Sequence, residues 1–311
     1  MSCGDMPSMT VTLLDIQRMS TEDGPGLRTT VFFKGCNLRC PWCHNPESIG
    51  RKPDLNWLSV KCMGCGICAT VCERGVITRD SNGVHFDRPR CIACGHCTDE
   101  CPQGAIELKG RPIEAETLFR ELIKDRAYFG GEGGITLSGG EVMLQGEAVV
   151  MLAKLLKEAG IHVAVDTAGC YDFKLLEAML PYMDMALYDI KIFDPARHLE
   201  ITGGDNRLIL ENYRKLRDAG MRLWVRTPVI EGATDSAENI RAIGGFLREA
   251  GLPERWELCS FNNLCRDKYT RLDLDWAYKN TGLTEKKHIE ELAAIARSCV
   301  PGAMYSGTTK E

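Results

Sequence analysis

Clustered cysteines constrain the fold and chemistry of this 311-residue chain more than any other feature of its sequence. Of its 16 cysteines, three form one short motif and eight form two runs of equal spacing. These runs are Cys36-x3-Cys40-x2-Cys43, Cys62-x2-Cys65-x2-Cys68-x3-Cys72 and Cys91-x2-Cys94-x2-Cys97-x3-Cys101. In a chain of this length without an export signal, such clusters indicate metal binding or redox chemistry and not a disulfide framework.

Charge and hydropathy exclude several classes of protein. The chain has 38 basic and 43 acidic residues, a formal net charge of -5, so a nucleic-acid-binding surface is not expected. No stretch approaches the roughly 18 consecutive apolar residues of a membrane-spanning helix, so no membrane contact is expected. Residues 1–5 have neither the basic nor the apolar region of a signal peptide, and we therefore expect a cytoplasmic protein.

The two four-cysteine runs have the spacing by which bacterial ferredoxins hold [4Fe–4S] clusters, where the fourth cysteine of each run binds the other cluster. This rule assigns one cluster to Cys62, Cys65, Cys68 and Cys101, and the other to Cys91, Cys94, Cys97 and Cys72. A zinc module is the alternative, because paired CxxC motifs also bind zinc. Zinc does not account for the third cysteine of each half, however. We therefore predict a ferredoxin-like insertion over residues 51–107 that carries two [4Fe–4S] clusters and relays electrons.

The three-cysteine motif leaves one iron of a [4Fe–4S] cluster without a protein ligand. An open coordination position is what a catalytic metal site needs. In the alternatives, a distant cysteine such as Cys3 or Cys170 completes the cluster, or His44 completes a zinc site. By default, the cysteines outside the runs are small core residues or free thiols, and they are Cys3, Cys170, Cys259, Cys265 and Cys299.

Strand-like and helix-like segments alternate outside the insertion. Strands are predicted at residues 29–33, 134–137, 161–165, 185–192, 223–225 and 256–260. Helices are predicted at residues 114–124, 147–159, 173–180, 206–219, 236–250 and 284–297, the last with Thr284 as its N-cap. About six strand–helix units predict an α/β fold with a parallel sheet, open or closed into a partial barrel. Residues 1–50 and 108–311 form this unit, which the insertion interrupts after the first strand.

The surroundings of the three-cysteine motif resemble a known family. The resemblance rests on Trp42 within the motif, on Asp23-Gly24-Pro25-Gly26-Leu27-Arg28-Thr29 before it, and on Cys43-His44-Asn45-Pro46-Glu47 at its end. Together these resemble the glycyl radical enzyme activating enzymes of the radical S-adenosylmethionine superfamily. The resemblance implies a partial (β/α)6 TIM-like barrel with a ferredoxin-like insertion, three [4Fe–4S] clusters and S-adenosylmethionine. It also implies a glycyl radical enzyme as the protein partner, and flavodoxin or ferredoxin as the electron donor.

The resemblance also implies the roles of individual residues. In such enzymes the open iron binds S-adenosylmethionine, which is cleaved to a 5′-deoxyadenosyl radical that takes hydrogen from a glycine of the partner. The implied cofactor contacts are Trp42, Gly139, Gly140, Glu141, Asp166, Thr167, Asp189, Lys191 and Asn262. Asp166 and Asp189 are also expected beside a monovalent cation, and Arg226 near the partner's glycine loop. Asn262 stands where the pyruvate formate-lyase activase has a histidine, and its amide can still hydrogen-bond.

Two other functions fit the same motifs. One is a radical S-adenosylmethionine enzyme with auxiliary clusters that acts on a small molecule or a peptide. The other is an electron-transfer protein in which the three-cysteine cluster is a third relay. An activating enzyme and a radical S-adenosylmethionine enzyme for small molecules would both cleave S-adenosylmethionine, whereas the electron-transfer protein would not.

Overall fold

The computed structural model describes residues 9–80 and 83–311. Within them, nine strands form one large sheet and four strands form two small ones. The large sheet contains β1 (Thr10–Ser20), β2 (Arg28–Phe33), β7 (Arg111–Glu114), β8 (Gly134–Gly139), β9 (His162–Thr167), β10 (Met185–Asp189), β11 (Arg222–Val229), β12 (Arg255–Ser260) and β13 (Ala303–Ser306). The small sheets contain β3 (Asp54–Trp57), β4 (Ile77–Asp80), β5 (Gly83–Phe86) and β6 (Ile106–Lys109).

Helices connect most of these strands. They are α1 (Ile67–Thr70), α2 (His96–Asp99), α3 (Ala115–Leu122), α4 (Glu147–Glu158), α5 (Phe173–Glu177), α6 (Pro195–Thr202), α7 (Arg207–Asp218), α8 (Ala237–Ala250), α9 (Arg266–Arg271) and α10 (Lys286–Cys299). In the described part of the chain, none of them is both long and apolar enough to cross a membrane.

The large sheet is mostly parallel. Its strand order is β13-β12-β11-β10-β9-β8-β2-β1-β7. All neighbours from β2 to β13 are parallel, whereas β1 is antiparallel to both β2 and β7. Parallel neighbours need long crossover connections, and the helices between the strands supply them. The six predicted strands are all present, and the predicted α/β fold with a mostly parallel sheet is confirmed.

Both faces of the central strands are buried, as is usual when helices cover a parallel sheet. In β10, Ala186 and Tyr188 belong to the main hydrophobic core, whereas Met185 and Leu187 form a small cluster with Ala164. Successive side chains of a strand point to opposite faces, so these two clusters lie on opposite sides of the sheet. Asp166, Asp189 and Arg226 lie towards the carboxyl ends of β9, β10 and β11.

The helix boundaries follow local chemistry, with one exception. Gly160 and Gly220 follow α4 and α7 with φ of 73° each, a left-handed conformation that glycine adopts without strain. Thr284 was predicted to cap the last helix, and this prediction is wrong. The residue at the cap of α10 is Glu285, and the Thr284 hydroxyl instead accepts a hydrogen bond from the Phe261 backbone N–H at 2.9 Å.

The cysteine-rich segment has a small architecture of its own. β3 pairs with β6 and β4 pairs with β5, both antiparallel. The ammonium of Lys34, which follows β2, lies 2.8 Å from the Asp54 carboxylate at the start of β3. This ion pair joins the segment to the large sheet. The boundary predicted after residue 107 falls inside β6, which continues to Lys109.

A fully buried arginine joins the first strands of the parallel sheet. Arg28 is 0% exposed, and its guanidinium donates to the Thr136 hydroxyl at 2.6 Å and to the carbonyls of Pro25 and Ile135 at 3.1 and 2.8 Å. Burial lowers the pKa of Arg28 to about 10, so the group remains charged at neutral pH. The loop before β2 is thereby tied to β8.

We expect Arg28→Met to lower the free energy of unfolding by about 3 kcal/mol, because it leaves buried carbonyls without donors. The measurement is urea unfolding under anaerobic conditions. Arg222→Met is the matched control, since Arg222 is half-exposed in its ion pair with Glu254 and should contribute less than about 1 kcal/mol. Equal losses in the two variants would contradict this account of Arg28.

Candidate active site

One cavity of about 500 Å³ opens at the carboxyl ends of the parallel strands. Side chains from several strands meet at this edge of a parallel α/β sheet. The strand ends contribute Ser138, Gly139, Gly140, Asp166, Thr167, Asp189, Lys191, Arg226, Cys259 and Ser260. The loop after β2 contributes Cys36, Cys40, Trp42, Cys43 and His44. Of the residues predicted to contact the cofactor, the structure brings all but Glu141 and Asn262 to the cavity wall.

The three-cysteine loop is held by backbone groups at the end of β8. The Glu141 N–H donates to the Gly35 carbonyl at 2.7 Å, and the Cys36 N–H donates to the Ile49 carbonyl at 3.0 Å. Gly140 lies so close that an added Cβ would be 2.7 Å from the carbonyl carbon of Gly35. A glycine is therefore needed at position 140 for the loop to lie against the sheet.

The three thiols are buried around one side of this cavity. Burial raises the pKa of Cys36, that of Cys40 to about 11 and that of Cys43 to about 12. These groups are therefore protonated thiols at neutral pH until a metal displaces their protons. Three soft sulfur donors in one buried loop fit an iron–sulfur cluster.

The residues that were considered as alternative ligands have other partners. The His44 Nε2 lies 3.1 Å from the Asn262 carbonyl oxygen. The Cys170 thiol donates to the Asp205 carbonyl at 3.5 Å, and Cys170 does not line the cavity. Cys3 lies outside the described residues. Among residues 9–80 and 83–311, no three His, Cys, Asp or Glu side chains are arranged to hold a single metal ion.

Four charged side chains from the strand ends form a network in the wall of the same cavity. The Arg226 guanidinium lies between two carboxylates, in direct contact with Asp166 and 3.3 Å from Asp189. The Lys191 ammonium is 2.7 Å from the other oxygen of Asp189. Burial raises the pKa of Asp166, whereas Lys191 and Arg226 outweigh burial and lower the pKa of Asp189. The guanidinium thus occupies the space between the two aspartates that were expected beside a monovalent cation.

Glu141 lies beneath the cavity and not in its wall. It is 1% exposed, and its carboxylate accepts hydrogen bonds from the Thr167 hydroxyl at 2.7 Å and the Ala168 N–H at 3.1 Å. Burial raises the pKa of Glu141 to about 7. In this position Glu141 ties the end of β8 to the end of β9, a role that its sequence context did not indicate.

Asn262 is also absent from the cavity wall. Its side-chain carbonyl accepts from the Leu264 N–H at 3.2 Å, and its backbone carbonyl faces His44. The side-chain oxygen of Asn262 is therefore used within its own turn.

Residues 261–284, which follow β12, cover the three-cysteine loop, and we call them the covering segment. The Tyr269 hydroxyl donates to the Cys43 carbonyl at 2.8 Å, and the Trp276 indole donates to the Pro41 carbonyl at 3.0 Å. The two rings are stacked with centroids 5.0 Å apart. The sequence did not predict this segment, because its only signal is a set of aromatic residues without helical or strand periodicity.

The other eight cysteines separate into two groups of four around two small cavities. One cavity is lined by Cys62, Cys65, Cys68 and Cys101. The other is lined by Cys72, Cys91, Cys94 and Cys97. The structure therefore brings together the same sets that the ferredoxin spacing assigns to two clusters, with the fourth cysteine of each run in the other group.

Comparison with known proteins agrees with this geometry. The chain matches the Radical SAM superfamily over residues 90–242 and a 4Fe-4S dicluster domain over residues 61–106. It is 36% identical to the indoleacetate decarboxylase activating enzyme of Tractidigestivibacter scatoligenes, over 91% of this chain and 93% of that protein. It is 37% identical to the benzylsuccinate synthase activating enzyme of Thauera aromatica, over 92% of this chain and 88% of that protein. It is 35% identical to the trans-4-hydroxy-L-proline dehydratase activating enzyme of Clostridioides difficile, over 92% of this chain and 96% of that protein.

The chain belongs to the glycyl radical enzyme activating enzymes of the radical SAM superfamily. The family resemblance inferred from residues 23–47 is confirmed. Iron–sulfur clusters and S-adenosylmethionine are the cofactors of such an activating enzyme.

We expect Gly140→Ala to lower the free energy of unfolding by about 2 kcal/mol or more, because the new methyl group overlaps the backbone that supports the cysteine loop. It should also reduce the iron bound after reconstitution. Both are measured on the purified protein, by urea unfolding and by iron analysis. Gly131→Ala is the matched control, since an added Cβ there meets nothing within 4 Å. If Gly140→Ala matches the control in both measurements, the close approach does not support the loop.

Proposed function

We propose that this activating enzyme uses S-adenosylmethionine and three [4Fe–4S] clusters to abstract hydrogen from a glycine of a partner glycyl radical enzyme. The observation that carries the proposal is a single cavity lined by both the three thiols and a buried charged network. When bound, the cluster delivers one electron to S-adenosylmethionine, and cleavage of its C–S bond yields the 5′-deoxyadenosyl radical that takes the hydrogen.

Cys36, Cys40 and Cys43 are the proposed ligands of the catalytic cluster. Three cysteines would leave one iron of the cluster without a protein ligand, and that iron would bind the amino and carboxylate groups of S-adenosylmethionine. The loop is fixed by backbone hydrogen bonds, and the covering segment excludes water from its outer side. Such preorganisation lets the residues orient the bound cofactor without rearranging.

Residues on the strand ends are the proposed contacts of S-adenosylmethionine. Gly139 and Gly140 present backbone without side chains, so a ligand can approach closely. Burial disfavours the charged form of Lys191, but the neighbouring Asp189 outweighs this effect and raises the pKa of Lys191. Lys191 is therefore a cation that can pair with the carboxylate of S-adenosylmethionine. Asp166 and Thr167 line the same wall, and Trp42 contributes apolar surface. Glu141 acts indirectly in this proposal, by positioning Thr167.

A monovalent cation beside Asp166 and Asp189 belongs to the same proposal. It requires the Arg226 guanidinium to turn away from at least one carboxylate, because this group now contacts both. The movement would bring Arg226 to the open side of the cavity. There it would meet the glycine loop of the partner.

The remaining clusters and domains complete the proposal. Residues 1–50 and 111–311 form a partial (β/α)6 barrel, with the insertion extended to the end of β6 and Gly110. The two four-cysteine groups each hold a [4Fe–4S] cluster, and flavodoxin or ferredoxin supplies the electron. A cytoplasmic setting suits 11 reduced cysteines. A partner enzyme is supported by the relatives, whose names specify a decarboxylase, a synthase and a dehydratase.

We expect Cys40→Ala to abolish cleavage of S-adenosylmethionine, while roughly two-thirds of the iron remains in the two other clusters. Cleavage is measured as 5′-deoxyadenosine formed under a strong reductant, and iron by chemical analysis. Cys299→Ala is the matched control, because Cys299 is a buried thiol on α10 outside the cavity and all three cysteine groups. It should retain iron and cleavage. Cleavage at the wild-type rate in Cys40→Ala would overturn the proposed site.

A further inference from the structure

We propose that the two four-cysteine groups are not equivalent. The group of Cys72, Cys91, Cys94 and Cys97 lies on the side of the three-cysteine motif, and the group of Cys62, Cys65, Cys68 and Cys101 lies on the outer side. Arg88 is the positioning residue that holds the inner group against the covering segment. The inference rests on the proposed function, since it gives the proposed relay its order.

β3 orders the two groups along one direction. Its first residue, Asp54, is paired with Lys34 at the edge of the large sheet. The next residue, Leu55, lines the cavity of the Cys72 group, whereas Trp57 lines the cavity of the Cys62 group. A strand advances about 3.3 Å per residue, so the two cavities lie at successive distances from the large sheet.

β6, which runs antiparallel to β3, also places the Cys62 group farther from the large sheet than the Cys72 group. Ala105 and Ile106 line the cavity of the Cys62 group. From Ile106, β6 then runs to Lys109, opposite Asp54 and next to the Lys34 side chain at Gly110. The chain therefore leaves the outer group before it rejoins the large sheet.

Arg88, three residues before Cys91, connects the inner group to the covering segment. Its guanidinium donates to the Asp273 carboxylate at 2.9 Å and to the Arg271 carbonyl at 3.0 Å. It also donates to the Leu55 carbonyl, which belongs to the strand beside the inner group. Hydrogen bonds from a charged group to three acceptors on two segments fix both position and orientation.

α9 extends this connection to the three-cysteine motif. Arg271 at one end of α9 receives the hydrogen bond from Arg88. Within the same helix, Lys268 pairs with Glu47 at 2.9 Å, and Tyr269 donates to the Cys43 carbonyl. The six-residue helix α9 thus contacts both Arg88, three residues before the inner group's Cys91, and the three-cysteine loop.

The outer group is accessible to a donor protein. Val60 and Met63 beside Cys62 are 94% and 65% exposed, and Lys61 lies between them. Exposure alone does not show which group is the outer one, because Ile92 beside Cys91 is also exposed. The inner and outer positions are assigned from the contacts of β3 and Arg88. A low-potential donor protein loses one electron to the Cys62 group. That electron would then pass to the Cys72 group and on to the Cys36 site, where S-adenosylmethionine would accept it as its C–S bond breaks, so that all three clusters would return to their oxidised state.

The order is tested by electron paramagnetic resonance on the fully reduced holoenzyme. The signal of the catalytic cluster is recognised by its change when S-adenosylmethionine is added. Cys94→Ala and Cys65→Ala remove equivalent exposed ligands of the inner and outer groups. We expect Cys94→Ala to slow the spin relaxation of the catalytic signal, because a nearby spin is lost, and Cys65→Ala to leave it close to that of the wild type. The reverse order, or equal effects, would overturn the proposal.

The role of Arg88 is tested without removing a cysteine. We expect Arg88→Met to increase hydrogen exchange about tenfold at residues 266–273, because charge-assisted hydrogen bonds are lost, and to slow the same spin relaxation. Arg90→Met is the matched control, since Arg90 is exposed and pairs with Asp87 within its own turn. It should change neither the hydrogen exchange nor the spin relaxation. If Arg88→Met leaves exchange and relaxation unchanged, Arg88 does not position the inner group. If the wild type has no signal that responds to S-adenosylmethionine, the proposed function fails instead.

Discussion

The active-site geometry depends on a close backbone contact between the loop after β2 and the turn after β8. Gly140 and Glu141 donate their N–H groups to the carbonyls of Phe33 and Gly35, and no side chain separates the two segments. This contact sets the three-cysteine loop directly above the ends of the parallel strands. The cavity, the position of the thiols and the distance to the charged wall all follow from it. Backbone groups fixed in this way need no reorganisation when a ligand binds.

Charge compensation is the second condition for the site. Two carboxylates in a buried cavity would be costly if they had no partners, and Arg226 and Lys191 supply two positive charges to Asp166 and Asp189. The network also explains why these residues come from three neighbouring strands. β9, β10 and β11 are parallel, Asp189 is paired with Arg226, and Asp166 is paired with Leu187, two residues before Asp189, so the three side chains lie on one face of the sheet.

Much of the site could be predicted from the sequence because its ligands are local. The cysteine runs specify their own spacing, and the Asp, Lys and Arg residues lie in or just after the carboxyl-terminal halves of apolar strands. Contacts between distant residues could not be predicted in this way. The burial of Glu141, the use of the Asn262 side-chain oxygen within its own turn and the bridge from Arg226 to two aspartates depend on packing. Thr284 fits the composition of an N-cap, but its hydroxyl is used by Phe261, 23 residues earlier. The covering segment lacks periodicity, and its aromatic side chains find their partners only in the folded chain.

The central claim is that the cavity acts on a glycine of another protein. It is tested most directly with a partner glycyl radical enzyme labelled with deuterium at its glycine α-carbons. The partner is mixed anaerobically with this enzyme, S-adenosylmethionine and a one-electron reductant. The account predicts that 5′-deoxyadenosine acquires one deuterium while a glycine-centred radical appears in the partner. Formation of 5′-deoxyadenosine without deuterium, together with no radical in any such partner, would contradict it.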